Sequence, residues 1–395
     1  MKKSPEERSS AAGGTSPKKD AKSSGKGQRW AGKIVRTGER ASVSLQVSEN
    51  YLGISIPIPL HVWRAPKPGP TLLVSAAVHG DEINGTGAIR ELIRSPGFDL
   101  QAGTLVLAPV INVPGFERHS RYLPDRRDLN RSFPGSRGGS MASRLAKAVF
   151  EKIIRKCDYC LDLHTASVRR TNFPNVRGDL SVPGVRRLAR AFGCEVVIDN
   201  PGPEGSLRSE ATAVGCSTLV LEAGEVWKVE PSVVEYTLRG IRNILIDLEM
   251  IEGTIDQAPF RTVVRQTTWL RSSNGGFLQF HVSPGELVEE GQSIATNSDL
   301  LGTDLEVITA PQSGMVLGMT TIPSVSPGDP IVHLALTEPK QQSRIERGLD
   351  RLDDESLGSR IRSDLASNVH TTVADDDGRN DDLNDPVDPD DADEM

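Results

Sequence analysis

Between residues 71 and 250, short apolar runs alternate with segments of helical periodicity. The runs are rich in Val, Ile and Leu, which favours strands that are buried on both faces. They read TLLVSAAV from Thr71, TLVLAPVIN from Thr104, CDYCLDL from Cys157, EVVID from Glu195 and STLVLEA from Ser217. Helices are predicted over 84–94, 141–156 and 232–250. This alternation predicts an α/β fold with a mainly parallel sheet and flanking helices, which we place within residues 30–258.

The pattern changes after about residue 259. Short strands separated by Gly and Pro turns follow, without a helical segment, and the motifs SPGELVEEGQSI and VSPGDPIVHL repeat loosely. We therefore expect a small all-β barrel-sandwich domain over 259–337, which resembles the biotinyl/lipoyl-carrier fold. No lysine occurs between Lys228 and Lys340, so this domain cannot carry biotin or lipoate. A role in packing or oligomerisation is more consistent with the sequence.

The two ends of the chain differ from its centre in charge. Residues 1–29 hold eight Lys/Arg against three acids, and residues 338–395 hold seven Lys/Arg against eighteen acids. Both segments are poor in apolar residues, so we expect a disordered basic tail and a largely disordered acidic tail. The centre is nearly neutral, which argues against a nucleic-acid partner.

We expect no membrane partner either. The apolar runs are much shorter than the roughly 20 residues that cross a bilayer. The N-terminus has no apolar stretch typical of a secretory signal, so we expect a cytoplasmic protein with reduced cysteines. Homo-oligomerisation stays open.

The motif HGDE, which follows the first apolar run, contains a candidate metal site. His79 and Glu82 are three residues apart in the turn that leaves a predicted strand, so their side chains can converge. Catalytic zinc sites need two or three such ligands on rigid supports. H-x-x-E alone is weak, and an ordinary polar turn is the alternative.

A third ligand is available in CLDLHTAS. His164 also ends an apolar run, so parallel strands would bring it beside His79 and Glu82, and a His/Glu/His set suits one catalytic Zn²⁺ per chain. Asp162 lies two residues earlier on the same face and could orient the site, or it could be an ordinary surface or capping aspartate. His119 is the substitute ligand. The remaining histidines are interpreted as ordinary polar residues: His61, His281, His333 and His370.

A zinc hydrolase also needs a general base to activate water. Glu222, in STLVLEAGE, ends another apolar run and points to the same sheet edge, with Glu225 as the fallback. The long loop from Asn112 to Gly135 is arginine-rich, and guanidinium groups bind carboxylates and stabilise oxyanions. It predicts a site for an anionic substrate. Its candidates are Arg118, Arg121, Arg126, Arg127, Asn130 and Arg131.

In this order, HGDE, SRY, DLNR, DLHT and LEAGE resemble the succinylglutamate desuccinylase/aspartoacylase family, relatives of the zinc carboxypeptidases. The resemblance covers residues 45–337. It implies zinc held by His79, Glu82 and His164, and a water-activating role for Glu222. The implied substrate contacts are Arg121 at the scissile carbonyl and Asn130, Arg131 and Arg208 at the substrate carboxylate.

Two departures from the family pattern bear on the substrate. Asp81 stands where aspartoacylases usually have asparagine, and the insert LPDRRD after Arg121 is longer. We therefore expect hydrolysis of the amide bond of a small anionic N-acylated amino acid or related carboxylate, without aspartoacylase specificity. A carboxypeptidase or esterase using the same metal, and a non-catalytic binding or regulatory protein, are the alternatives. A structural zinc site at KCDYC is a less well supported hypothesis, since the cysteines are better interpreted as core residues.

Overall fold

The computed structural model describes residues 27–49, 53–353 and 355–369. Most of the predicted basic tail and the last 26 residues of the predicted acidic tail lie outside the described residues. In the described part of the chain, no helix has the length and apolar character needed to cross a membrane.

The described residues fold into short strands and helices. In chain order, the strands are β1 (Gln28–Trp30), β2 (Lys33–Val35), β3 (Arg40–Glu49), β4 (Ser55–Arg64), β5 (Lys67–Ala76), β6 (Ala102–Ala108), β7 (Tyr159–His164), β8 (Arg170–Gly178), β9 (Val196–Asp199), β10 (Ser217–Glu225), β11 (Thr262–Val264), β12 (Thr267–Arg271), β13 (Gly276–Phe280), β14 (Leu287–Val288), β15 (Ser293–Ser298), β16 (Asp304–Thr309), β17 (Gly314–Thr320), β18 (Ser324–Val325) and β19 (Pro330–Leu336). The helices are α1 (Asn84–Arg94), α2 (Val113–Phe116), α3 (Met141–Lys152), α4 (Pro183–Phe192), α5 (Leu207–Ala213), α6 (Pro231–Asp247), α7 (Pro339–Leu349) and α8 (Leu357–Ala366). Single 3-10 turns cover Leu129–Arg131 and Ile154–Lys156.

The α/β fold has one large sheet, and that sheet is mixed. Its continuous strand order is β12-β19-β17-β8-β10-β7-β5-β6-β4-β3. Strands β6, β5, β7 and β10 run parallel, as the sequence predicts. In contrast, β8 is antiparallel to β10, and β3 and β4 add an antiparallel edge. The prediction of a mainly parallel sheet therefore holds only for the central strands. The polar strand β8 and the N-terminal hairpin of β3 and β4 are not part of the strand–helix alternation on which it was based.

Alternate residues of β5 face two different apolar layers, as a strand buried on both sides requires. Leu72, Val74 and Ala76 pack in one cluster with apolar residues of α1, α4 and α6. Leu73 packs in the other with apolar residues of α3 and β3. The two layers fix the central strands rigidly, so the side chains at their carboxyl ends have a firm support.

Residues 259–337 are all described, and every regular element among them is a strand. The first, β11, pairs parallel with β9 and so extends the α/β sheet. Strand β17 pairs with the start of β8, so the sheet formed by β12, β19 and β17 is continuous with the large sheet. Strands β16, β15, β13 and β18 form a second sheet, and apolar side chains from both sheets share a core. This continuity brings the C-terminal strands to the edge of β8, one strand away from β10.

Two helices, α7 and α8, lie in the segment after residue 338, for which the sequence predicted a largely disordered tail. A capping box formed by Glu338 and Gln341 begins α7, and the Ser356 side chain caps α8. Ile345, Ile361 and Leu365 are buried in the main core. The prediction of disorder rested on net charge and overall composition, which do not register the helical spacing of these apolar residues.

Candidate active site

Four candidate residues meet at one edge of the sheet. His79 follows β5, Glu82 lies in the turn before α1, and His164 is the last residue of β7. Glu222 on β10 is the direct register partner of His164. Because β5, β7 and β10 are parallel, their carboxyl ends deliver these side chains to the same place, as predicted.

The two histidines flank the Glu82 carboxylate. Its Oε1 lies 2.6 Å from Nδ1 of His79, and its Oε2 lies 2.7 Å from Nδ1 of His164. All three side chains are buried, and one ligand atom from each lies within 4.8 Å of the others. Burial alone would raise the pKa of Glu82, but the two histidines lower it below its ordinary value. This set of two imidazoles and one carboxylate fits a divalent metal such as zinc, and a polar turn does not explain the convergence.

The far nitrogen of each imidazole faces another carboxylate. His164 Nε2 is 2.8 Å from Oδ2 of Asp162, whose Oδ1 accepts a 2.7 Å hydrogen bond from Ser75. His79 Nε2 is 3.3 Å from Oδ1 of Asp128. Carboxylates in this position orient metal-binding histidines. Asp162 thus has the position considered from the sequence, and Asp128 has a similar one that was not predicted although Asp128 belongs to DLNR.

Arg121 lies beside this cluster. Its guanidinium donates 3.2 Å and 3.1 Å hydrogen bonds to Glu82 and Asp128. The long loop from Asn112 to Gly135 therefore contributes directly to the candidate active site. Arg118, Arg126, Arg127 and the substitute ligand His119 are exposed instead, and none of them lines the cavity described below.

Asn130, Arg131 and Arg208 line the same cavity. The Asn130 Oδ1 accepts a 2.8 Å hydrogen bond from the backbone of Leu207, which connects the DLNR turn to the start of α5. Arg208 is 9% exposed, and burial lowers its pKa to about 10. Its Nε has no hydrogen-bond partner among the described residues. A buried cation with unused donors is suited to an anionic ligand.

Glu222, and not Glu225, faces the cavity. Asn172 donates a 3.2 Å hydrogen bond to Oε2 of Glu222, whose side chain is 18% exposed. Glu225 is instead held by Lys228 at 2.6 Å and by the Thr321 hydroxyl at 2.8 Å. A partly accessible carboxylate beside the candidate metal ligands can take a proton from water.

The cavity has a volume of about 260 Å³, which suits a small molecule. Its lining also contains Arg170 and Arg177 of β8, Trp269 of β12 and His333 of β19. These four residues were not predicted from the sequence as part of the site, and His333 was interpreted as an ordinary polar residue. The two arginines soon after His164 were an available signal, whereas Trp269 and His333 are brought in only by the C-terminal strands.

The cysteines of KCDYC do not join the polar cluster. Cys157 and Cys160 are buried in the apolar layer together with Cys216, as expected of small core residues. Asp81 is also buried, yet it is not one of the three converging groups.

Comparison with known proteins agrees with the resemblance found in the sequence. Residues 68–248 match the family model for the succinylglutamate desuccinylase/aspartoacylase catalytic domain. The N-alpha-acetyl-L-2,4-diaminobutyric acid deacetylase of Halomonas elongata is 27% identical over 283 residues, which cover 68% of this chain and 82% of that protein.

Two solved structures share the fold. A succinylglutamate desuccinylase/aspartoacylase from Rhodobacter sphaeroides has a TM-score of 0.67 at 26% identity, covering 77% of this chain and 96% of that chain. The product-bound ectoine utilization protein of Ruegeria pomeroyi has a TM-score of 0.68 at 22% identity, covering 76% and 96%. At that lower identity the second likeness concerns the fold alone.

Proposed function

Residues 68–248 belong to the succinylglutamate desuccinylase/aspartoacylase family, and from this premise we propose a zinc-dependent hydrolase that cleaves the amide bond of a small N-acyl amino acid or related carboxylate. The observation that carries the proposal is the convergence of His79, Glu82 and His164 in a cavity that also contains Glu222. One zinc ion per chain would be held by the three converging side chains.

The chemistry divides among the residues as follows. Zinc, when bound, polarises a carbonyl oxygen and lowers the pKa of water. Glu222 takes a proton from the attacking water, whose oxygen forms a bond to the acyl carbon. Arg121 stabilises the negative charge that develops on the carbonyl oxygen. Glu222 then gives the proton to the departing nitrogen as the carbon–nitrogen bond breaks, and a carboxylic acid and a free amine result.

The substrate carboxylate is held by polar side chains that line the same cavity. Asn130, Arg131 and Arg208 supply an amide and two guanidinium groups, and the Nε of Arg208 is used by no protein group among the described residues. Fixing the carboxylate there orients the amide bond toward Glu222, which turns binding energy into orientation. The exposed Arg127 is left without a role in binding.

The experiment combines metal analysis with a substrate panel. Purified protein should contain about one zinc per chain and hydrolyse N-acetyl or N-succinyl amino acids faster than dipeptides or esters. Glu222→Gln should lower turnover by at least ~100-fold while zinc stays bound. Glu225→Gln is the matched control, since Glu225 lies outside the cavity, and it should remain active.

Four outcomes would contradict the proposal. Faster cleavage of dipeptides or esters would favour a carboxypeptidase or an esterase. Protein that binds zinc but hydrolyses nothing, or protein that binds no zinc, would favour a binding or regulatory role. Near-normal turnover in Glu222→Gln would refute the role of that residue.

A further inference from the structure

The long loop from Asn112 to Gly135 has an outer face that the proposed mechanism does not use. Three of its arginines are exposed and lie outside the lining of the cavity: Arg118, Arg126 and Arg127. Their guanidinium groups have no hydrogen bond or ion pair with another described residue. Glu117 is the only exposed acid among residues 112–135, all of which the structure describes. These three arginines, the arginine surface, therefore carry positive charge with which no described carboxylate pairs.

The last described residues lie beside the segment that contacts this loop. The Asn368 side chain accepts a 2.7 Å hydrogen bond from Nζ of Lys228. Trp227, the neighbour of Lys228, donates a 3.1 Å hydrogen bond from its indole nitrogen to the backbone carbonyl oxygen of His119 in the arginine-rich loop. Residues 370–395 therefore join the described chain close to the arginine surface.

Residues 370–395 have the opposite charge. They contain eleven Asp/Glu and a single arginine, and the acids begin at Asp375. The stretch from Val369 to Asp375 spans up to about 20 Å when extended, so the first aspartates can reach the arginine surface. A short tether also keeps their effective concentration near that surface high, on the order of millimolar.

The other strongly charged segment joins the described chain at a different place. Residues 1–26 contain seven Lys/Arg and three acids, so they too could attract the acidic residues. Strand β1, which follows them, is joined to β6 by a 3.3 Å hydrogen bond from Thr104 to Gln28. Thr104 lies near the amino end of β6, whereas the cavity lies at the carboxyl ends of the parallel strands. The position of β1 therefore favours the arginine surface over residues 1–26.

We propose that the arginine surface is the docking surface for residues 375–394 of the same chain. The carboxylates of this segment accept hydrogen bonds from the three guanidinium groups, whose planar donors suit bidentate pairing. Each pair is exposed and contributes little by itself, so docking depends on several pairs together and weakens as salt screens them. This interaction goes beyond the proposed function and does not depend on it.

Docking places a strongly negative segment beside the cavity. The same loop lines the cavity with Arg121, Asn130 and Arg131. Because the docked segment neutralises the arginine surface and carries further negative charge, it repels an anionic substrate and lowers the local concentration of that substrate. The acidic segment thus raises KM for anionic substrates, and it leaves kcat unchanged because it does not touch Glu222.

Fluorescence anisotropy of the full chain tests the docking. The four native cysteines are buried, so a cysteine introduced as Asp385→Cys can be labelled selectively with a maleimide dye. The anisotropy of this dye should be high at about 50 mM NaCl and fall at about 500 mM NaCl, where the pairs are screened. At low salt it should fall to the same value when the arginine surface is removed by Arg118→Gln, Arg126→Gln and Arg127→Gln.

A second triple variant provides the charge-matched control. Arg90→Gln, Arg94→Gln and Arg242→Gln remove three exposed arginines from α1 and α6, outside the arginine-rich loop, and should leave the anisotropy unchanged. Circular dichroism should show that both triple variants are folded.

Three results would overturn the docking. The first is an anisotropy that is the same in the wild type and in the variant without the arginine surface. The second is a fall in anisotropy on dilution, which would mean that the segment docks on a second copy of the chain. The third is a fall on deletion of residues 1–26, which would identify that basic segment as the partner.

Steady-state kinetics test the effect on the substrate, which rests on the proposed function. Deletion of residues 370–395 should lower KM for the preferred N-acyl amino acid about 2–10-fold at low salt, without a change in kcat, and the difference should vanish at about 500 mM NaCl. An unchanged KM at low salt would overturn the effect on the substrate. Protein that hydrolyses no N-acyl compound would refute the proposed function alone, because the anisotropy measurement needs no turnover.

Discussion

Asp162 precedes His164 by two residues on β7, and its Oδ2 lies 2.8 Å from the His164 nitrogen that points away from Glu82. The carboxylate thereby fixes the ring so that Nδ1 faces Glu82 and the candidate metal site. Asp162→Asn should weaken zinc binding about 10–100-fold, since partners of this kind orient ligands and raise their basicity. Titration of the apoprotein against a competing chelator measures the effect.

A weaker variant of the same interaction provides the control. Ser75→Ala removes the hydroxyl that donates to Asp162 but keeps the carboxylate, so zinc affinity should fall less than in Asp162→Asn. Circular dichroism should show that both variants are folded. Unchanged zinc affinity in folded Asp162→Asn would contradict the orienting role.

Gly202 leaves room for the Arg208 guanidinium. Its φ is +87°, and a Cβ atom there would lie 2.7 Å from Nε of Arg208. Gly202→Ala should cost about 1 kcal/mol of stability from the backbone conformation and also displace Arg208, which raises KM for carboxylate substrates. Gly215→Ala is a matched control, because Gly215 has the same φ of +87° with nothing within 4 Å of the added carbon. Only the first variant should change KM, as measured by steady-state kinetics.

The convergence of the candidate metal ligands could be predicted from the sequence because it depends on local signals. His79 and His164 directly follow apolar runs, and parallel strands end at one edge. The part of the cavity formed by β8, β12 and β19 could not be predicted in this way. Strand β8 is polar and runs antiparallel to β10, so it lacks the apolar pattern that identified the other strands. Trp269 and His333 reach the site only through the pairing of β17 with β8.

The elements of the fold also divide into those that the sequence predicted and those that it did not. The predicted bounds of α1 agree with the structure, and five predicted strands correspond to β5, β6, β7, β9 and β10. Helices α4 and α5 were missed, as were α7 and α8. The C-terminal segment was predicted to be disordered because of its excess of acidic residues. Ile361 and Leu365 are nevertheless four residues apart and face the core.

The burial of α8 leads to a prediction about stability. Ile361 is 1% exposed within the main core, so Ile361→Ala should lower the free energy of unfolding by about 2–5 kcal/mol. Ile361→Val removes a single methyl group and should cost only about 0.5–1.5 kcal/mol. Urea unfolding followed by circular dichroism measures both changes. Wild-type stability in Ile361→Ala would mean that α8 does not pack on the core in solution.

A buried acid gives the protein a pH-dependent contribution to stability. Glu195 is 5% exposed, and burial raises its pKa above the ordinary value of 4.5 even though the Tyr236 hydroxyl donates to its carboxylate and Arg239 lies 3.9 Å away. The folded state therefore binds this proton more tightly than the unfolded state does. The stabilisation is fully present below pH 4.5 and is lost as the pH rises through the higher pKa of the folded protein.

Glu195→Gln keeps the shape of the side chain and removes the titration. The free energy of unfolding of the variant minus that of the wild type should be more positive at pH 7 than at pH 4. The reason is that only the wild type must ionise a buried group as the pH rises. Urea unfolding at both pH values gives the two differences in free energy. A difference that does not change with pH, or that changes in the opposite direction, would show that the Tyr236 hydroxyl and Arg239 outweigh burial at Glu195.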